Sequence, residues 1–526
     1  MAPSIRCTTA LSLLTMQATI ATSETFSFSS PNKVPKGASG IVPKDFASYS
    51  WPGHWFTDFA GNATYPNLFS KDILDLLASK TGAQPFVRIG GTSTDRIWYN
   101  ASQQVASRNV FENTGSLTSN IGIPDRVEIG PAFFEGFRNF PDTSFSWQMN
   151  MGNTYGTPGG LENALEVARH VMHTVGGRLD SFEIGNEPDI FYLVGHRPKN
   201  YTLADYVRQW NEYADACSSQ VLKGNPYGLA ETRFFQGLTT ASGEQEWSAD
   251  NVLNSGLDKH NHLKSMSMHH YDSNGEPWVR LQNSFMNHTN IAANVSLYDD
   301  DIAASHNYKP SLPFILGETN SDSSNLNMSQ FIGVFGSALW TIDRTFLSMA
   351  ANMQRQNFIQ GTTFGYTQWV PVPLEGRQPY TRPPLYGYIF AADALGRHPK
   401  AQVYPIPTSV WNLSAYGIYQ AGKLAKYAVI NLDEYNSTAS YARPEQRVRL
   451  TVPKHVRHVG IERLTAAGAD ADEGVQWAGL SWNYTDGRLA QSGKHKVERV
   501  QARRGVVNLQ IPSTQAVLVA LDGCQD

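Results

Sequence analysis

The sequence predicts an α/β protein, a (β/α)8 TIM barrel followed by a C-terminal antiparallel β-sandwich domain. Three observations predict it. Eight short apolar runs alternate with helical stretches over residues 41–397, and each run closes on polar and aromatic side chains. From Val403 onward the helical period gives way to strand alternation. With 526 residues, 41% hydrophobic and only 17% charged, the chain can bury a core of that size.

The first strand is expected near Ile41–Tyr49, leading into Ser50-Trp51-Pro52-Gly53-His54-Trp55. A helix over Lys71–Lys80, with Ile73, Leu74, Leu76 and Leu77 on one side, precedes the second strand at Pro85–Gly91. The third, Ser144–Asn150, is followed by a helix over Leu161–Val175. The fourth, Leu179–Gly185, is followed by another from about Leu203 to Val221. Strands five to eight are expected at Arg233–Thr239, Ser265–His270, Pro313–Gly317 and Thr362–Val370, with a last helix over Leu385–Leu395. Beyond it, runs such as AKYAVINLD and QAVLVALD, separated by Gly, Pro and Asp turns, define a β-sandwich over 398–526. Thr25–Ser29, within the segment 24–40, is a candidate additional strand of that sandwich, and Cys217 and Cys524 offer one pairing across the boundary.

Forty-two basic and 46 acidic residues leave a net charge of −4, no field for nucleic acid or an anionic membrane. Three cysteines do not make a four-thiolate zinc site. One positive residue, Arg6, then an apolar run from Cys7 to Ala21, reads as a secretory signal peptide over residues 1–21. Asn-x-Ser/Thr acceptors at Asn62, Asn100, Asn200, Asn287, Asn294, Asn327, Asn412, Asn436 and Asn483 agree with secretion and N-linked glycans.

The chemistry lies at the strand ends, which in such barrels form one mouth. Glu187 closes the fourth strand in Asn186-Glu187-Pro188, and Glu318 closes the seventh in Gly317-Glu318-Thr319. Two carboxylates flanking a substrate are what cleavage of a glycosidic bond requires: one protonates the leaving oxygen, the other attacks or activates water. Trp51, Trp55, Trp98, Tyr366 and Trp369 are candidates to line the mouth, and core packing is an equal reading for each. Asp95 either supports the site or caps a turn. Neighbouring His269 and His270 point to opposite faces of a strand, so they form no metal pair, and no metal or cofactor is expected. Gly90-Gly91 lacks the pattern of a nucleotide loop and permits close backbone approach at the rim.

Asn186-Glu187-Pro188 with Glu318 resembles the large clan of retaining glycosidases with catalytic acids on strands four and seven. A finer likeness is carried by Arg88-Ile89-Gly90-Gly91-Thr92-Ser93-Thr94-Asp95, Ile184-Gly185-Asn186-Glu187-Pro188 and His269-His270-Tyr271. Leu316-Gly317-Glu318-Thr319-Asn320-Ser321 and Ala338-Leu339-Trp340 complete it. In these segments the sequence resembles glycoside hydrolase family 79, the β-glucuronidase and heparanase-like family. The resemblance implies that Glu187 is the general acid/base and Glu318 the nucleophile of a double displacement, with carboxyls about 5–5.5 Å apart. It further implies that Asn186 donates to the sugar 2-hydroxyl and that Tyr271 orients Glu318.

Glucuronidases of the family hold the sugar carboxylate partly through a Tyr-Gly-Gly-Gly-like loop after the nucleophile and partly through a tyrosine after strand eight, which Tyr366 matches. Here the loop reads Ser321-Asp322-Ser323-Ser324-Asn325-Leu326-Asn327. Asp322 repels an anion unless it is turned away, and the amides and hydroxyls of Ser323 and Ser324 are the donors left. The expected function is therefore a secreted retaining β-glycosidase acting on a carbohydrate or glycoside, β-glucuronidase-like. Its alternatives are a 6-O-α-rhamnosyl-β-glucosidase releasing a disaccharide, and a carbohydrate-binding protein without catalysis.

Overall fold

A computed structural model describes residues 25–112, 122–241, 245–324 and 329–521. The expected signal peptide, the acceptor Asn327 and Cys524 lie outside the described residues. Cys217 is a buried free thiol.

Eight parallel strands close into a barrel: β1 Ala47–Pro52, β2 Val87–Gly90, β3 Phe145–Met149, β4 Leu179–Ile184, β5 Phe235–Thr240, β6 Leu263–Ser273, β7 Phe314–Asp322 and β8 Arg355–Ile359. The period-2 pleat sorts their side chains. In β3, Trp147 meets Phe133 and Phe137 outside the barrel, while Gln148 turns to the lumen and reaches Arg88. In β1, Ser50 reaches Arg88 in the lumen, while Trp51 faces outward. The lumen near the mouth is thus polar, and the apolar faces pack on the helices.

Three strands differ most from the expectation, and of these the seventh runs on past Gly317 to Asp322. The first begins six residues later, because Val42 is hydrogen-bonded to Ala401 at the edge of the sandwich rather than to a barrel neighbour. The eighth is Arg355–Ile359, not Thr362–Val370. Its polar reading (RQNFI) arises because Asn357 faces the lumen and bonds the Gly317 carbonyl, while Gln356 bonds Thr345 on a helix. Residues 362–370 form the loop after it, closed by the short pairing of Trp369–Val370 with Tyr380–Thr381.

The helices form where local signals agree with the packing. Helix α1, Leu68–Thr81, starts at Asn67, whose side chain accepts from the Ser70 amide, and stops at the left-handed Gly82. Helix α2 is Gly160–Val175. Helix α3, Leu203–Cys217, opens on a reciprocal capping box between Thr202 and Asp205. Helices α4, Phe335–Ala350, and α5, Pro384–Leu395, lie between barrel and sandwich. There Asp343 of α4 accepts from Tyr416, and Asp393 of α5 accepts from Trp477 and pairs with Lys80.

The sandwich has a nine-stranded sheet built around Leu413–Gln420, Lys423–Asn431, Gln515–Leu521 and His458–Thr465. A smaller sheet combines Glu445–Thr451, Val506–Pro512 and the N-terminal strand Thr25–Ser29. That N-terminal strand runs parallel to Glu445–Thr451 in the register Thr25 to Arg447. One apolar core fills the gap between the sheets, with Phe28, Tyr427, Val448 and Val519 among its members. Tyr416, Ile430 and Trp477, on the other face of the larger sheet, join the barrel core. Among the described residues, no helix is long and apolar enough to cross a membrane.

Candidate active site

Arg88 organises the site. It is fully buried on β2 and faces the lumen, where its guanidinium joins four other strands, β1, β3, β4 and β7. Nε and Nη2 lie 3.0 and 2.5 Å from Glu183 Oε1 of β4, and Nη1 lies 2.7 Å from Glu318 Oε2 of β7. Nη1 also donates to Ser50 at 3.0 Å, and Nη2 to Asn186 Oδ1 at 2.8 Å. A Cβ on Gly90 would sit 2.5 Å from the Arg88 guanidinium carbon, so the bare backbone gives the side chain its room. Burial disfavours the charge on this arginine, but Glu183 and then Glu318 outweigh it and hold the guanidinium firmly charged.

Glu318 is 5% exposed and held from two sides, by Arg88 and by the Tyr271 hydroxyl, which donates to Oε1 at 2.6 Å. Burial, then the neighbouring Glu318 charge, pushes the Tyr271 phenol well above its ordinary range, so it stays a donor. Gly91, at φ +95°, brings its backbone past Glu318, where a Cβ would stand 3.4 Å from Oε2.

Glu187 follows β4 in the left-handed region, φ +55°, which costs a non-glycine residue about 1–3 kcal/mol. Two contacts enforce it. Its amide donates to Thr239 of β5 at 2.9 Å, and the preceding Asn186 amide donates to Asp95 Oδ2 at 2.6 Å. Asp95 also accepts from the Met151 and Gly152 amides, 2.8 Å each. It is fully buried. Of the two readings, Asp95 is the turn residue: it locks the turns after β3 and β4 together as a positioning residue and, fully buried, is not placed to bind substrate. Burial raises its carboxyl to about 6 against the pull of those three amides.

The Glu187 carboxyl is pushed up to about 7, by burial first, against the lowering effects of Arg88 and Asn186. His269 Nδ1 lies 3.0 Å from Glu187 Oε1. Burial, reinforced by Arg88, lowers that imidazole to about 4, so above this pH it is a neutral partner. His270 faces the other way, towards Tyr298 and Asn294. Because Arg88 carries only donors, the Asn186 amide must turn its oxygen inward, which leaves Nδ2 facing outward with a 3.4 Å contact to Thr92.

Glu187, His269 and Glu318 bring oxygen and nitrogen atoms within 4.8 Å of one another. A dication held there would meet the Arg88 guanidinium 2.7 Å from Glu318, so this donor set fits a proton-transfer pair rather than a metal. Two carboxyls this close, one protonated near neutrality and one anchored by a cation, can deliver a proton and a nucleophile to the same bond. On an aryl glycoside, kcat/KM is expected to fall about tenfold per pH unit above about pH 7, as Glu187 loses its proton. Replacing Glu187 with Gln should remove this alkaline limb; a limb that persists unchanged assigns it to another group.

The other expected residues separate. Tyr366, on the loop after β8, is 2% exposed, its ring 6.5 Å from that of Tyr271. Trp55 is nearly buried against Phe364, and Trp98 is half-buried on the short strand Ile97–Tyr99. Trp51 is not at the mouth: it is fully buried, stacks on Phe59 at 5.1 Å and meets Phe140 and Trp369. The pleat that points Ser50 at Arg88 necessarily sends Trp51 to the helix layer. Trp369, on the loop after β8, is also fully buried, its ring against Trp51 and Phe59 and its indole nitrogen donating to Ser70.

The loop after Glu318 also differs from expectation. Asp322 is buried and accepts from the Ser273 hydroxyl at 2.5 Å, the Gly275 amide at 2.7 Å, and the amide and hydroxyl of Ser324 at 2.9 and 2.6 Å. The Ser323 amide donates to Ser273 and its hydroxyl to Asn274. Asp322 and Ser323 thus tie the β7 loop to the β6 loop, and the Ser324 donors are spent on Asp322 within the β7 loop instead of facing a ligand.

Arg88 and Glu183 are the functional residues missed as such by sequence reading. The signal was present: a charge in the middle of each of two apolar strands, PFVRIGG and LDSFEIG.

A barrel with one carboxylate just after β4 and its partner on β7, both at the mouth, defines a barrel glycoside hydrolase. The family model for the glycosyl hydrolase family 79 C-terminal beta domain matches residues 415–518. A β-glucuronidase of Aspergillus niger is 31% identical over 519 residues, 93% of each chain. One from Neurospora crassa is 30% identical over 485 residues, 84% of each chain. The chain belongs to glycoside hydrolase family 79. The solved structure of a 4-O-α-L-rhamnosyl-β-D-glucuronidase from Fusarium oxysporum shares its fold, with TM-score 0.79 at 21% identity over 94% of this chain and all of that one. An arabinofuranosidase from Xanthomonas axonopodis pv. citri superposes with TM-score 0.60 at 13% identity, over 92% of this chain and 98% of that one.

Proposed function

We propose that this glycoside hydrolase is a retaining β-glucuronidase that works by double displacement. The observation carrying the mechanism is the approach of the Glu187 and Glu318 carboxyl oxygens to within 4.8 Å, which suits direct attack and leaves little of the roughly 6.5–9.5 Å in which inverting enzymes seat a water. Glu187 protonates the leaving oxygen while Glu318 attacks the anomeric carbon. Glu187 then deprotonates the water that releases the sugar. Asn186 Nδ2, turned outward by Arg88, donates to the 2-hydroxyl, a contact that tightens as positive charge develops on the ring. The curated relatives, both β-glucuronidases, support a glucuronide as substrate.

A second reading, release of a disaccharide from a 6-O-rhamnosyl-β-glucoside, is favoured by the loop after Glu318. With the Ser323 and Ser324 donors engaged internally, a neutral sugar substituted at carbon six loses nothing there, whereas a carboxylate is deprived of those donors. Initial rates on nitrophenyl β-glucuronide, β-glucoside and β-rutinoside decide between them. Release of glucuronate alone supports the first reading; activity on the rutinoside without the glucuronide overturns it. An initial product of β configuration supports retention, and an α product refutes it. Secretion is part of the proposal, supported by the solvent-exposed acceptor asparagines Asn62, Asn100, Asn200 and Asn483.

A further inference from the structure

At the opposite end of the barrel from the carboxylates, the last turn of α3 meets the segment entering β6. Asp215 Oδ1 lies 2.9 Å from His260 Nδ1 and 2.8 Å from His262 Nε2, and its Oδ2 lies 3.0 Å from His260 Nδ1. The three ligand atoms fall within 4.8 Å of one another. Two features set this cluster apart from a chance contact. His260 and His262, two residues apart, both turn a ring nitrogen to one carboxylate oxygen. The far nitrogen of His262 is steadied by the Ser218 hydroxyl at 3.3 Å, an arrangement that fixes ring orientation as the outer partners of metal-bound histidines do.

We propose that Asp215, His260 and His262 bind a transition-metal dication of the zinc type, with solvent as fourth ligand, clamping the end of α3 to the start of β6. Imidazole donors favour zinc, nickel or copper over magnesium or calcium. A tetrahedral zinc with bonds of about 2.0–2.1 Å holds its ligand atoms about 3.4 Å apart. The present 2.8 and 2.9 Å spacings need only a small opening, available because the His260 and Asp215 side chains are 43% and 49% exposed while His262 is buried. The site lies on the barrel face that serves stability rather than turnover, so the metal is structural.

The test uses the full chain, stripped of metal and then exposed to zinc chloride or magnesium chloride. Elemental analysis after desalting should find one zinc and no magnesium per chain, and zinc alone should raise Tm. His260→Ala, at a half-exposed position, should weaken zinc binding about tenfold or more while leaving glycosidase activity and the metal-free Tm unchanged. No retained zinc, or equal retention and equal Tm gain in H260A, overturns the proposal. Zinc bound instead at Glu187, His269 and Glu318 would reveal itself as inhibition equal in the parent and in H260A, and it too counts against the site.

Discussion

Glu318→Gln is expected to lower kcat by roughly four to six orders of magnitude, the scale seen when a nucleophile is removed from an enzyme, while the protein remains folded. The expectation of intact folding rests on geometry. A glutamine keeps an oxygen for Arg88, and Arg88 retains its closer partner Glu183, so no buried cation is left alone. The amide cannot form the glycosyl ester. The matching gain-of-function check is Glu318→Ala with azide. The small anion should enter the space opened beside Tyr271 and restore turnover, giving a product of inverted configuration. Near-normal turnover in Glu318→Gln, or azide rescue with retained configuration, would remove Glu318 from the role of nucleophile.

Arg88→Met is expected to be the most damaging change to the barrel, costing about 3–5 kcal/mol of stability. Glu183 is fully buried and its main partner is this guanidinium; among the described residues Gln236 is its other hydrogen-bond partner, at 3.3 Å. The same substitution removes the cation beside Glu318 and frees the Asn186 amide, so activity should be lost together with stability. Arg88→Met combined with Glu183→Gln separates the two effects. The double variant should recover much of the stability, because the stranded charge is gone, yet stay inactive. Urea unfolding and kcat on an aryl glycoside measure both. A single variant within about 1 kcal/mol of the parent would show that the buried pair is not the keystone of the mouth.

Much of this architecture can be read from the sequence because the pleat writes itself into it. Phe145-Ser146-Trp147-Gln148-Met149 alternates helix-facing and lumen-facing residues, and the helical spacing of 161–175 reappears as α2. The eighth strand hides because both of its faces carry amides with partners elsewhere in the fold, so local pattern gives no apolar signal. At the site, Glu187 and Glu318 are legible because each closes an apolar run. Local sequence does not decide between turn and site for Asp95 because its partners, the amides of Met151, Gly152 and Asn186, are up to 91 residues away in sequence. Residue type alone makes Trp51 a candidate for the mouth; the parity set by Ser50 and Arg88 reveals its direction.

The parallel seam between Thr25–Ser29 and Glu445–Thr451 means that the sandwich is not a contiguous piece of chain. Excising residues 398–521 as a free module would strip away Phe28 and leave Arg447–Thr451 as an unpaired border beside apolar residues, an invitation to intermolecular pairing and aggregation. During synthesis that border strand emerges last of the two, so Thr25–Ser29 stays without its partner until the final quarter of the polypeptide arrives.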